Sequence, residues 1–213
     1  MKEIYKNLYQ FSVYIPPMDF TIHQYLLASD PAILFAAGTV QQAETVLPEI
    51  QKILGDRGLK YIFISHNESD EMGGIPVFQR AYPNVSVICS QLTARELSGL
   101  GINIDMIVKN GEENLKDGEL NLKFANYPSE VHLQNGLVCI EESSGIFYSA
   151  DLMLRYGNGV GNTIKSKWED EVGNISEERV PNKRKLENLK TDLLNFAPCF
   201  VAVGHGYCIE CEV

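Results

Sequence analysis

Four potential metal ligands crowd one corner of this chain, His66-Asn67-Glu68-Ser69-Asp70-Glu71, directly behind the apolar run Tyr61-Ile62-Phe63-Ile64. A turn that merely reverses the backbone needs none of them. His132 and His205, two of the four histidines, also lie just past apolar or strand-like stretches, as does Asp151 at the end of Phe147-Tyr148-Ser149-Ala150-Asp151. The candidate set is therefore His66, Glu68, Asp70, Glu71, His132, Asp151 and His205. Imidazole beside carboxylate suits iron, manganese or zinc, whereas structural zinc favours closed, thiolate-rich sites. Two neighbouring cations need several carboxylates, both to offset charge and to bridge. This set supplies Glu68, Asp70, Glu71 and Asp151. His23 falls mid-strand without an acidic neighbour and reads as a core histidine.

Strands and helices must bring these scattered positions together. Tyr9 to Ile15 alternates and stops at Pro16-Pro17, and Phe20 to Ala28 and Ala32 to Ala36 read as antiparallel strands joined at Ser29-Asp30-Pro31. Thr39 caps a helix carrying Val40, Val46, Leu47, Ile50 and Leu54 at helical spacing, closed by Gly55, and strand Tyr61 to Ile64 then delivers His66. A second alternation gives helix Ile75 to Ala81, strand Val85 to Cys89 and helix Leu92 to Leu100. Short β-like runs follow at Met106 to Val108, Leu120 to Tyr127, Leu137 to Glu141 and Gly145 to Ser149. Pro181 to Phe196 reads as a helix with Pro at its start, and Cys199 to Val203 as a buried strand. This order predicts an α+β chain built as an αββα sandwich, two mixed sheets flanked by helices, in one domain over 1–213.

Bulk properties narrow the partners. Eighteen basic against twenty-eight acidic side chains give a formal charge of −10, which opposes phosphate backbones and anionic lipid, so neither nucleic acid nor membrane is expected. No stretch resembles a signal peptide or approaches the roughly 20 apolar residues of a spanning helix, which predicts a cytoplasmic protein. Five dispersed cysteines read as reduced thiols, and Cys208-Ile209-Glu210-Cys211 lacks the second pair a thiolate metal site would need. Gly157-Asn158-Gly159-Val160-Gly161 opens no helix and reads as a mobile loop beside the metal rather than a nucleotide loop. Lys165 to Lys185 reads as a solvated, charged face, with a lid or partner-docking surface as a lesser reading. Tyr156, Trp168 and Tyr207 are candidate aromatic walls, and Tyr207 a candidate hydrogen-bonding support for the ligands.

Taken in order, these residues resemble the metallo-β-lactamase superfamily, and within it the diiron domain of flavodiiron proteins and the stand-alone oxygen-binding diiron proteins. The superfamily commonly carries H-x-H-x-D-H, and the flavodiiron branch H-x-E-x-D, which His66, Glu68 and Asp70 match. The resemblance implies that His66, Glu68 and His132 hold one iron, Asp70 and His205 the other, and that Asp151 bridges them. Two departures stand out. Glu71 occupies a place where the family usually has a further histidine, so it either ligates the second iron or swings away. Phe35-Ala36-Ala37-Gly38 lacks an aspartate that the superfamily often has before Thr-Gly.

The resemblance also implies function. Flavodiiron enzymes take up dioxygen or nitric oxide and are refilled with electrons by a flavodoxin-like domain. This chain stops eight residues after His205, so no FMN and no flavodoxin-like domain are expected here. A diferrous pair alone supplies about half the electrons that full reduction of dioxygen requires. The leading expectation is therefore a non-haem diiron protein that captures or senses dioxygen. One alternative is a dioxygen or nitric oxide reductase served by a separate electron-donor protein, a signalling partner being the counterpart for a sensor. Another is a zinc- or manganese-dependent hydrolase, which the negative charge of Glu68 disfavours. Flavodiiron relatives pair head to tail so that flavin meets iron; without a flavin domain a homodimer is compatible but not required.

Overall fold

Alternating apolar side chains draw the first third of the chain into sheet. In the computed structural model, which describes residues 1–128 and 135–212, β1 (Lys2–Tyr5), β2 (Leu8–Ile15), β3 (Phe20–Leu27) and β4 (Ala32–Phe35) run antiparallel, each beside the next. His132 lies outside the described residues. Thr39 then starts α1 (Val40–Leu54) with a reciprocal cap: its hydroxyl accepts from Gln42 N–H while the Gln42 side chain accepts from Thr39 N–H. The chain returns in β5 (Leu59–Phe63), passes the short α2 (Ser69–Met72) and α3 (Ile75–Ala81), and continues through β6 (Ser86–Cys89), α4 (Gln91–Gly99) and β7 (Asp105–Val108). β4 to β7 pair in parallel, which makes a mixed seven-stranded sheet in sequence order.

The second sheet contains β8 (Asn114–Asp117), β9 (Leu120–Pro128), β10 (Asn135–Glu141), β11 (Ile146–Ala150), β12 (Thr163–Lys167), β13 (Phe200–Val203) and β14 (Cys208–Glu212), with α5 (Trp168–Asn174) and α6 (Lys183–Leu193) between β12 and β13. Its strand order is β12-β14-β13-β11-β10-β9-β8, parallel at β11–β13 and β12–β14 and antiparallel elsewhere. Tyr25, Phe35, Phe63, Phe124 and Tyr148 interlock between the sheets, their rings 5.4–6.2 Å apart. Burying each such ring contributes about 1.5–3 kcal/mol. Ala43, Ile50, Ile75, Phe78 and Leu97 pack the helices of the first half on its sheet, and Trp168, Leu186, Leu189 and Leu193 belong to the core on the other side. The αββα sandwich of two mixed sheets is thus the observed architecture.

Several sequence expectations need correction. Lys165 to Lys185 is not simply a solvated face: Thr163–Lys167 is an edge strand and Trp168–Asn174 a helix, anchored by buried Trp168 and Val172. Trp168 is no wall of the metal site. It packs on Phe147 at 5.1 Å and donates its indole N–H to the Leu193 carbonyl at 3.0 Å. The helix expected from Pro181 begins at Lys183, because Asn182 caps it by accepting from Lys185 N–H. The glycine-rich loop is tethered rather than loose: Gly157 N–H donates to Asp19 O, Thr21 Oγ1 to Gly157 O, Gly159 N–H to Thr21 Oγ1, and Gly161 N–H to Gln10 Oε1. No helix among the described residues is long and apolar enough to cross a membrane.

Candidate metal centre

The site forms where three strands of the two sheets end on one rim of the sandwich. After β5, the chain crosses from sheet to loop at Ile64-Ser65-His66, and Glu68 and Asp70 follow at the start of α2. β11 ends at Ala150, whose φ of +46° is left-handed and costly for a residue with a Cβ, so the chain breaks sharply and presents Asp151 as the first residue of a short 3₁₀ turn. β13 and β14 form a hairpin with Gly204-His205-Gly206 at its tip. Gly204 donates its N–H to the Ala150 carbonyl at 2.9 Å, which locks that tip to the residue before Asp151.

One carboxylate faces both imidazoles. Asp151 Oδ2 lies 3.6 Å from His66 Nε2, and Asp151 Oδ1 lies 3.0 Å from His205 Nε2. Glu68 Oε2 stands 3.7 Å from His66 Nε2, and Asp70 Oδ2 stands 3.6 Å from His205 Nε2. His66, Glu68 and Asp151 can turn one ligand atom each to within 4.8 Å of one another. Both imidazoles are 6% exposed, Asp70 and Asp151 are 21% exposed and Glu68 is 59% exposed, so the pocket opens to solvent on the Glu68 side. Phe20 stacks on His205 at 4.3 Å, Tyr127 meets His66 edge-on at 6.0 Å, and Tyr156 packs against Phe20 at 5.8 Å. The Tyr207 ring lies against Gly157.

Glu71 is arranged differently. Its Oε2 accepts from Ser65 N–H at 3.1 Å, and its Oε1 accepts a short hydrogen bond from the Tyr148 hydroxyl. Both carboxylate oxygens are thus committed inward, and burial raises its pKa to about 7 although the His66 charge and these bonds oppose the rise. The Phe35-Ala36-Ala37-Gly38 segment supports this loop through the backbone, with Ala37 N–H on Glu71 O and Gly74 N–H on Gly38 O.

His23 is the satisfied core histidine its setting predicts, with a positional task that sequence reasoning missed. Ser12 Oγ–H donates to its Nδ1 and its Nε2–H donates to Gly206 O, both at 2.7 Å. Burial lowers its pKa to about 4, so the ring is neutral. His23 therefore grips the hairpin tip from β3. His205 Nδ1–H donates to the Thr21 carbonyl at 3.0 Å, which turns Nε2 toward Asp70 and Asp151, where it can meet either a proton or a metal. Arg155 adds a third tie, its N–H on His205 O and its guanidinium paired with buried Glu171 of α5. His23 and Arg155 carry no motif that would reveal these contacts in advance.

These residues fit a pair of divalent cations. The imidazole lone pairs and three carboxylates converge, one carboxylate is shared, and buried His66 Nδ1 has no partner among the described residues. Without metal, protons fill the role of positive charge. Burial opposes protonation of His66, yet Glu68, Glu71 and Asp151 outweigh it and raise its pKa to about 9; His205 is raised in the same way, chiefly by Asp151. A raised imidazole pKa stabilises the metal-free fold below about pH 6.5, and that contribution is lost as pH rises through about 9. Metal uptake at pH 7 is therefore expected to release about one proton per chain from His66, and the upward shift of His205 can only add to it. Calorimetry in buffers of different ionisation enthalpy reads that number, and zero release would refute this account of the metal-free pocket.

The hairpin tip also predicts a sensitive glycine. Gly206 has φ of +86°, and a Cβ there would stand 2.4 Å from the Arg155 carbonyl oxygen. Gly206→Ala is expected to cost about 2–4 kcal/mol, a fall in Tm of roughly 5–12 °C, and to displace His205. Thermal melts with metal analysis check it; an unchanged Tm would mean that the tip adapts.

The sequence model of the family described as ODP family beta lactamase matches residues 20–186, well over half of the chain. This chain belongs to the ODP family beta lactamase group. No curated protein matches its sequence. Among solved structures, this ODP family chain is similar to the rubredoxin oxygen:oxidoreductase of Desulfovibrio gigas, with TM-score 0.78 at 18% identity over 98% of this chain and 57% of that one. It is also similar to the flavodiiron protein of Giardia intestinalis, with TM-score 0.77 at 14% identity over 99% and 56%. The Flv1 flavodiiron core of a Synechocystis species gives TM-score 0.75 at 15% identity over 95% and 54%. The ODP family chain thus has the metallo-β-lactamase fold of flavodiiron cores and spans a little more than half the length of these proteins.

Proposed function

We propose that this domain holds two iron ions and uses them to bind dioxygen. The observation that carries the reading is Asp151, whose two oxygens each face a different imidazole, His66 and His205, as a carboxylate bridging two ions would. His66, Glu68 and, by family resemblance, His132 would hold one ion, and Asp70 and His205 the other. Bound ferrous ions would supply the electrons that a captured dioxygen draws on.

The chain's own residues do the rest. Glu68, Asp70 and Asp151 offset the cationic charge, and Glu68 adds a negative donor that disfavours the Lewis acidity a zinc hydrolase needs. His205 is oriented by Thr21 O and His66 is covered by Tyr127, which restricts water at the buried end. Glu71, tied to Ser65 and Tyr148, stays off the pocket and leaves fewer protein donors beside Asp70 and His205, hence room for a small ligand such as dioxygen or nitric oxide. Electron-donor and signalling proteins are further partners of this reading, as is a second copy of the chain.

The test is metal analysis of anaerobically purified protein, followed by optical spectra as stoichiometric dioxygen is added to the reduced form. Two irons per chain and a long-lived visible absorption are expected. Repeated turnover with reduced rubredoxin would make the domain a reductase instead. Zinc in the pocket, with no uptake of ferrous iron and with ester hydrolysis lost in His66→Ala, would replace the diiron reading by a hydrolase.

A further inference from the structure

The Cys208-x-x-Cys211 motif does not bring its two thiols together. Three residues apart on β14, the side chains leave on opposite faces. Cys208 is buried beside the Tyr25 hydroxyl at 3.1 Å and Gln10 Nε2 at 3.4 Å, while Cys211 is partly exposed and feels the charge of Glu171 on α5. The pairing that does occur runs across the ladder. β13 and β14 are antiparallel, with Phe200 opposite Glu210 and Val201 opposite Ile209. One step further along, Cys211 N–H donates to the Cys199 carbonyl at 3.0 Å, so these two cysteines face each other and project to the same side.

Directly opposed residues hold their Cα atoms about 5.5 Å apart and their Cβ atoms about 5 Å apart. A disulfide accepts Cα separations of about 4.4–6.8 Å, so only a small approach of the Cβ atoms is needed. The two thiols differ in a useful way. Cys199 is exposed and open to attack on a small oxidant, whereas Cys211 is half-covered, and burial pushes its thiol up to about 12. Together they sit at the base of the hairpin whose tip is Gly204-His205-Gly206.

We propose that Cys199 and Cys211 form a reversible disulfide on exposure to hydroperoxide, which locks the base of the hairpin that presents His205. With hydrogen peroxide, the Cys199 sulfur attacks one peroxide oxygen; the S–O bond forms, the O–O bond breaks, and the leaving hydroxide takes up the proton lost by the thiol and departs as water. The Cys211 sulfur then attacks Cys199, the S–S bond forms, the S–O bond breaks and a second water leaves. Two thiols are oxidised and one hydroperoxide is reduced, two electrons on each side, and an added dithiol reverses the step. This inference does not depend on which metal the pocket holds.

The experiment treats the full chain, reduced and freed of reductant under anaerobic conditions, with stoichiometric hydrogen peroxide. Free thiols counted in denaturant are expected to fall from five to three per chain, with a mass loss of about 2 Da and a peptide crosslink joining Cys199 to Cys211. In Cys211→Ser, dimedone should trap a sulfenic acid on Cys199, and Cys199→Ser should keep its four remaining thiols. Amide hydrogen exchange over residues 204–207 should slow in the oxidised chain at equal metal content. Five surviving thiols, a Cys208–Cys211 crosslink or a link between two chains would overturn the pairing, and unchanged exchange would overturn the lock.

Discussion

Asp151→Asn is expected to empty the proposed metal centre while leaving the fold intact. Asparagine keeps the shape of the side chain but removes a charge and replaces one of the two oxygens that face His66 and His205 with a donor nitrogen. Even partners that only support a ligand contribute about 10–100-fold to metal affinity, so loss of the shared carboxylate should exceed about 100-fold. No hydrogen bond from the described backbone ends on this carboxylate, which is why far-UV circular dichroism should not change. Glu68→Gln, at a 59% exposed position, should retain more metal than Asp151→Asn. Elemental analysis of both variants checks the order. Full occupancy in Asp151→Asn would show that the two imidazoles hold their ions without a shared ligand.

Glu71→Ala is expected to lower stability by about 2–4 kcal/mol. The substitution strands two buried donors, Ser65 N–H and the Tyr148 hydroxyl, each at about 1–3 kcal/mol. Relief of the carboxylate's own burial, visible in its raised pKa, offsets part of that sum. Tyr148→Phe should cost less, about 1–2 kcal/mol, because Glu71 keeps its Ser65 bond and no cavity opens. For a chain of this length the alanine variant should melt roughly 5–15 °C lower. Denaturant titration of the metal-free proteins separates these values from metal effects; equal stability of Glu71→Ala and wild type would mean that the inward hydrogen bonds contribute nothing.

Much of this architecture was legible because the signals were local. Val40 to Leu54 carried helical periodicity between a Thr cap and a terminal Gly, and α1 occupies that span. Tyr61 to Ile64 was one continuous apolar run, and β5 is buried among other strands of the first sheet. The missed elements lacked such signals. Thr163–Lys167 alternates lysines with residues that are only half-buried, so an edge strand looks like a charged linker. Ser69–Met72 is a single turn whose acidic residues belong to the ligand cluster rather than to an apolar stripe. The candidate ligands His66, Glu68, Asp70, Asp151 and His205 stand out by their types and order, and the structure brings these five to one rim. Whether Glu71 joins them could not be read from the sequence, because its placement depends on a hydroxyl 77 positions later, at Tyr148.

The two sheets have a consequence for the order of assembly. His66, Glu68 and Asp70 leave the first sheet, and Asp151 and His205 leave the second, the last of them 139 residues after the first. An unfolded or partly synthesised chain cannot chelate a cation pair through donors so far apart, since the loop between them must close first. Loading therefore follows docking of the sheets. A pocket formed before its cargo arrives would select by size, geometry and supply, and the metal present in the compartment at that moment would decide which ion the proposed site acquires.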